Sequence, residues 1–325
     1  MNIKRLLTQR NWCHTPSMQI VYEWEDEISK ACGWKLKKDR NFYYRRYYRW
    51  IKPFVKPWES SKPAFQFVIS LHNHKGRNKR NIVPLIIDFF CRGKEELETF
   101  YNAFSNHELV LISSKEAYEY LLEQGCPLNI RHCALSLPDR YAINRNTYFE
   151  KKFDIMLFGR YNQVLRDFAF QYKEEHPDMS IVIEDPKEKY RYITSDGTFV
   201  GYARSRQEYW DLMRATRVGL YATPSIDSTG SAKKRTQGYN QVTPKFLEYI
   251  ACGCHVIARY PKNADTDYYE LEKFCPSIEN YEQFSTAMTR ARTAQPDMEF
   301  YANYLSRHYT SRRAAEIQSL INEYE

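Results

Sequence analysis

The chain has 325 residues, 43% of them hydrophobic, and a formal net charge of +8 at pH 7. That length exceeds one ordinary core and favours two domains, and the apolar content excludes a disordered chain. No run of about 18 apolar residues exists, which excludes a helix that spans a membrane.

The N-terminal MNIKRLLTQRNW has no apolar signal region. The eight cysteines show no metal or redox spacing. Cys252 and Cys254 are separated by one residue, too close for an ordinary zinc pair. Together these features predict reduced thiols in a cytoplasmic protein. The positive charge favours anionic partners and does not choose among nucleotide phosphates, acidic lipid and nucleic acid.

A short N-terminal strand is followed by a capped helix over TPSMQIVYEWEDEISKAC, residues 15–32. Asn11–Ser17 is then the loop at the strand's carboxyl end, where ligands bind in open α/β sheets. His14 in that loop is either an ordinary surface histidine or a substrate contact. Trp34–Trp58, WKLKKDRNFYYRRYYRWIKPFVKPW, is dense in basic and aromatic residues, with Asp39 its only acid. As a helix it puts Tyr43, Tyr44, Tyr47, Tyr48 and Ile51 on one face and Arg45, Arg46, Arg49 and Lys52 on another. Such a helix fits docking on an anionic membrane surface, packing on the sheet with its arginines solvated, or RNA stacking, the least favoured.

Pro63–Leu71 and Ile82–Phe90 read as strands, the first running into His72 and His74 and the second carrying Asp88 near its end. Glu95–Phe104 reads as a helix, Leu109–Ser114 as a strand, and a further helix runs through Gly125. The alternation predicts a parallel, helix-covered sheet. Two histidines without a third ligand are weak evidence for metal.

Leu135–Glu150 is polar and irregular, which divides the chain into domains of residues 1–150 and 151–325. Phe153–Phe158 is a strand that ends in Gly159-Arg160 before a helix. Glycine allows close backbone approach and a helix start attracts phosphate, so this is an anion-binding arrangement. Ser180–Glu184 and Phe199–Ala203 follow as strands, Gln207–Ala215 as a helix and Arg217–Thr223 as a strand. Ile226–Gln241, IDSTGSAKKRTQGYNQ, reads as a long basic loop, either a lid over a phosphate-bearing ligand or a disordered surface loop. Gln241–Ala258, QVTPKFLEYIACGCHVIA, reads as helix, glycine break and buried strand. Pro244 suits the first turn, Thr243 the N-cap and Gly253 the stop. Glu248 is the one acid in this core-forming helix. The tail, Met298–Glu325, reads as mostly helical.

The string K-F-L-E-Y-I-A-C-G after a proline, running into an apolar strand, resembles the donor-site helix of GT-B glycosyltransferases. The likeness is nearest to the retaining, family 4-like and spore-maturation-protein-like branch. VGYARSRQEYWDLMRATRVGLYATPS resembles the strand, helix and strand that precede the donor loop. LVLISSKEAYEYLLEQG resembles the last βα unit of the N-terminal domain.

The resemblance implies an α/β, GT-B architecture of two Rossmann-like parallel-sheet domains facing a central cleft. The first would hold the acceptor and the second a UDP- or GDP-sugar, and the last helix would cross back to the first domain. Glu248 would bond the ribose hydroxyls, Gly159, Arg160 and Lys245 the diphosphate, and Gly201 and Tyr202 would surround the nucleobase. His14 would touch donor sugar or acceptor from the opposite wall. The family's usual second glutamate, eight residues before the helix acid, is here Asn240, so the sugar contact is amide-mediated, shifted or absent. Retention needs no protein base; an inverting enzyme would need one, and Asp88, His14, His72 and His74 are the candidates. No metal and no further cofactor is expected. The reading is a glycosyltransferase of surface-glycan synthesis, acting on a glycan or lipid-linked acceptor, cytoplasmic or peripheral on the inner face of the cell membrane. From another class stands a non-catalytic nucleic-acid- or membrane-binding protein of the same fold. An epimerase acting on a UDP-sugar is a third, weaker reading.

Overall fold

The computed structural model describes residues 2–10, 15–38, 63–70 and 81–323. The chain forms two compact units, one of residues 1–14, 18–139 and 309–325 and one of residues 15–17 and 140–308. The division falls between Asp139 and Arg140, inside Leu135–Glu150, and the first unit also takes residues 309–325. The expected site or surface residues His14, His72 and His74, and Trp34–Trp58 beyond Lys38, lie outside the described residues.

In the first unit the elements are β1 (Arg5–Thr8), α1 (Ile20–Ala31), β2 (Lys35–Lys38), β3 (Ala64–Ser70) and β4 (Ile82–Asp88). They continue with α2 (Lys94–Phe104), β5 (Val110–Ile112), α3 (Lys115–Glu123), β6 (Ile130–His132) and the C-terminal helix Thr310–Asn322. The sheet runs β2-β1-β3-β4-β5-β6 with every pair parallel. Its central strands β3, β4 and β5 are near-continuous apolar runs because helices cover both faces of such a sheet. Phe65, Phe67 and Ile69 pack on one face with Trp24 and Ile28 of α1 and with Ile317 and Ile321 of the C-terminal helix. Trp24 Nε1 donates to the Ser136 carbonyl at 2.9 Å, which satisfies the buried indole. The C-terminal helix is anchored where the Thr310 N–H donates to the Leu137 carbonyl at 2.9 Å.

The basic aromatic stretch opens with a strand: Lys35–Lys38 is β2, in register with Arg5–Thr8 and at the edge of the sheet among the described residues. Gly33, with φ +66, turns the chain out of α1 into it. The lysines on an edge strand suit its exposure, since charge there discourages pairing with other chains.

The second unit holds β7 (Phe153–Met156), α4 (Gln163–Glu175), β8 (Ile181–Glu184), β9 (Arg191–Thr194), β10 (Phe199–Tyr202) and α5 (Arg206–Arg214). It continues through β11 (Thr216–Ala222), α6 (Gly230–Thr236), α7 (Lys245–Ala251), β12 (His255–Arg259), α8 (Ala264–Tyr268), α9 (Tyr281–Thr293) and α10 (Met298–Leu305). The sheet order is β10-β9-β8-β7-β11-β12. β7, β8, β11 and β12 are parallel, whereas β9 pairs antiparallel with β8 and β10. The sheet is therefore mixed, with a parallel body of β8, β7, β11 and β12 and β9 reversed near one edge. β9 was not read from the sequence, and its short connections on either side are too brief for the helix that a parallel crossover needs.

α7 packs face-on against β11 because residue 219 is glycine. A Cβ there would sit 2.3 Å from Cγ of the Tyr249 ring. The helix begins at Lys245 with Pro244 in the N-cap position. Thr243 does not cap it with its side chain; its N–H donates instead to the Tyr221 hydroxyl at 2.9 Å. α7 ends ahead of Gly253, where the Cys254 N–H returns to the Tyr249 carbonyl at 3.0 Å. No described helix is long and apolar enough to cross a membrane, and every described cysteine is a free thiol.

Candidate functional site

The chemistry-bearing residues of the second unit gather where β7, β11 and β12 end. Asp227, just after β11, accepts from Arg259 at the end of β12 through both carboxylate oxygens, at 2.6 and 3.0 Å. It also accepts from the Asn162 amide at 2.9 Å, and Asn162 caps α4 through the Leu165 N–H at 3.0 Å. Asp227 takes a left-handed φ of +53 to do so. Short charge-assisted bonds from two elements offset that backbone strain, and they hold its carboxyl below the usual range.

Gly159 and Arg160 lie in the loop between β7 and α4. Gly159 has φ +51 and open space where a Cβ would be, so the loop presents backbone. Arg160 is exposed. Lys245, the first residue of α7, donates from Nζ to the Phe158 carbonyl at 2.9 Å. This bond ties α7 to the backbone immediately before Gly159. Burial pushes the Lys245 ammonium down to about 8; Glu248 opposes the shift and Arg160 adds to it.

Glu248 is buried, 2% exposed. Its Oε1 accepts from Arg206 Nη2 at 2.5 Å and its Oε2 from the Tyr209 hydroxyl at 3.3 Å. Arg206 is itself only 6% exposed. Its guanidinium lies 5.4 Å from the Tyr209 ring, 5.5 Å from Trp210 and 5.8 Å from Tyr141. Tyr141 stacks on Trp210 at 3.7 Å, 12° from parallel. Burial works against the Arg206 charge, but the Glu248 carboxylate more than restores it, and its pKa is raised on balance. An isolated charge in such surroundings would be very costly; the pair makes it tolerable.

Gly201 and Tyr202 lie on β10, at the sheet's far edge, where the register with β9 shifts between Phe199 and Gly201. The Arg204 guanidinium covers the Tyr202 ring at 3.7 Å. α5 starts two residues later behind a Ser205/Glu208 capping box, and its first residue is Arg206. The end of β10 and the acid of α7 are therefore linked through the start of α5.

Asn240 is occupied within the unit. Its Oδ1 accepts from the Thr223 hydroxyl at 2.8 Å and the Ser225 N–H at 3.1 Å, and its Nδ2 donates to the Gly238 carbonyl at 3.0 Å. It latches the chain after β11 to the chain before α7. The stretch between is not a bare loop, since Gly230–Thr236 forms α6 with Lys233, Lys234 and Arg235 in its last turn. Basic residues suit that end of a helix. Asp88 ends β4 in the first unit, opposite Ser70 of β3. Among the described residues no group of three or more His, Cys, Asp and Glu is placed to hold a metal ion. A cavity of about 760 Å³ runs along β12 between α9 and α10, lined by His255, Phe274 and Phe300 among others, and includes none of these site residues.

Sequence reasoning missed Arg206, Tyr209 and Asp227. For Arg206 a signal was present. S-R-Q-E is a capping box, and an arginine in the first turn opposes the helix dipole, which calls for a nearby carboxylate.

No protein-family model matches the chain, and no curated protein matches it. Solved structures do. The UDP-forming α,α-trehalose-phosphate synthase of Burkholderia xenovorans matches at 12% identity with a TM-score of 0.50, over 94% of this chain and 82% of that one. The same enzyme of Burkholderia vietnamiensis matches at 11% identity, TM-score 0.49, over 95% and 82%. Sucrose-phosphate synthase of Thermosynechococcus elongatus matches at 12% identity, TM-score 0.48, over 95% and 78%. The fold is that of the GT-B glycosyltransferases, α/β with two six-stranded sheets and flanking helices.

Proposed function

We propose that the chain is a glycosyltransferase that moves a sugar from a UDP- or GDP-linked donor to a glycan or lipid-linked glycan acceptor in surface polysaccharide synthesis, with retention. The observation that carries this reading is the bond from Lys245 Nζ to the Phe158 carbonyl at 2.9 Å, which brings a lysine of α7 to the backbone that leads into the exposed Gly159 and Arg160. The Lys245 and Arg160 cations beside exposed backbone ahead of a helix form a pair that favours an anion bearing more than one negative charge. A sugar diphosphate is such an anion. Its charge grows as the bond from the phosphate oxygen to the anomeric carbon breaks, so the pair stabilises the transition state more than the bound donor.

In this reading Glu248 accepts from the ribose hydroxyls, and Gly201 and Tyr202 lie toward the base. Asn240 serves as the latch described above, which leaves the sugar to other groups. A retaining transfer asks for no base from Asp88 or His14. The acceptor belongs to the first unit, and the basic aromatic stretch 34–58 brings the enzyme to the inner face of an anionic membrane. Arg45→Glu, Arg46→Glu and Arg49→Glu together should release the protein from anionic liposomes; a wild type that never binds them removes the membrane from the proposal.

Titration with UDP, GDP and inorganic pyrophosphate tests the core of the reading. Saturable binding that raises the melting temperature is expected, with at least tenfold weaker binding when Arg160 and Lys245 are both alanine. A melting temperature unmoved by all three anions would sink it.

A further inference from the structure

Glu248 is held unequally at its two oxygens. Oε1 takes a charge-assisted bond from Arg206 at 2.5 Å, whereas Oε2 has only the Tyr209 hydroxyl at 3.3 Å. A carboxylate offers about four acceptor positions, so Oε2 retains capacity that Oε1 has largely spent. The guanidinium that sets this asymmetry is itself fixed. Tyr209 and Trp210 of α5 and Tyr141 surround it, and both members of the pair are buried.

We infer that Arg206 is a positioning residue that holds Glu248 with Oε2 as the acceptor for a ribose hydroxyl, and so sets a preference for ribonucleotides over 2′-deoxyribonucleotides. The inference rests on the donor-site reading above. Arg206 touches no substrate in it; it acts through Glu248. Lysine at 206 keeps the charge but has no planar fork, so it neutralises Glu248 without fixing its orientation.

The experiment is calorimetry of the full chain with UDP and GDP and with the 2′-deoxy form of each, for wild type and Arg206→Lys. The wild type should prefer the ribonucleotide by about ten- to a hundredfold, the range of one charge-assisted hydrogen bond. Arg206→Lys should lose most of that preference by weakening ribonucleotide binding, while deoxynucleotide affinity stays within about twofold of wild type. A merely structural role would weaken both forms alike, and that result overturns the inference, as does a preference that survives. If the lysine variant fails to fold, Arg206→Gln, which keeps a neutral donor toward Oε1, takes its place. If neither folds, the pair belongs to stability and the inference is wrong. A wild type that binds neither nucleotide form defeats the donor-site reading itself, which is a different outcome from a lost preference.

Discussion

Lys245 Nζ and the Phe158 carbonyl oxygen lie 2.9 Å apart, so the first residue of α7 holds the backbone that leads into Gly159 and Arg160. Two segments almost ninety residues apart in the chain thereby become one surface. The same ammonium is pushed down to about 8, chiefly by burial, with Arg160 contributing.

A pH dependence follows for anion binding. Lys245 is charged below about pH 8 and neutral above it. The advantage of wild type over Lys245→Met in affinity for inorganic pyrophosphate should therefore shrink as pH rises through that value, the ionisation of the ligand being common to both. An advantage that stays the same from pH 6.5 to 9.5, or none at any pH, would exclude Lys245 from the anion site.

Stability should move in the opposite direction. The folded amine loses its proton near 8, whereas the unfolded one keeps it to the ordinary lysine value of 10.5. Between those values the unfolded chain binds more protons, so this group's contribution to the unfolding free energy rises with pH. Below about pH 8 its cost is fully present. Urea titrations across pH 8 to 10 should show this slope in the wild type and lose it in Lys245→Met.

Removing one partner of the buried pair should be worse than removing both. Glu248→Met leaves the Arg206 guanidinium buried without its carboxylate, at a cost of about 3–5 kcal/mol. Adding Arg206→Met replaces the pair with apolar side chains and should recover most of that loss. Additive destabilisation in denaturant melts would show that the two side chains do not depend on each other.

Gly219 should not tolerate alanine. The added Cβ would lie 2.3 Å from the Tyr249 ring, which is fully buried on α7. Overpacking of this kind costs about 1–3 kcal/mol. The shift should also displace Lys245 and Glu248, so thermal melts and pyrophosphate titrations should both change. A variant with wild-type behaviour in both would show that α7 is not seated through this contact.

Asn240→Ala should act on stability. It leaves the Thr223 hydroxyl and the Ser225 N–H without their acceptor, worth about 1–3 kcal/mol for each buried group left unpaired. Limited proteolysis should then cut sooner within residues 226–240. Unchanged melting and cleavage, with lost transfer activity, would return Asn240 to a direct role on the sugar.

The sequence by itself determined the sheet-forming runs, the start of α7 near Pro244 and its stop at Gly253, and the Gly159-Arg160 turn after β7. Local causes suffice for these: apolar periodicity, a residue that fits a first turn, and a glycine where the backbone takes a positive φ. It also singled out Glu248, the only acid in a helix otherwise made for the core. What that acid does inside the unit was decided only in three dimensions. Its partners, Arg206 and Tyr209, stand about forty residues earlier on another helix, and no periodicity connects them. The reversal of β9 between β8 and β10, the latch made by Asn240 and the brace from Asp227 to Arg259 have the same origin. Each depends on which strand ends the sheet order brings together, and that order is set by packing of the whole unit, not by any window of its sequence.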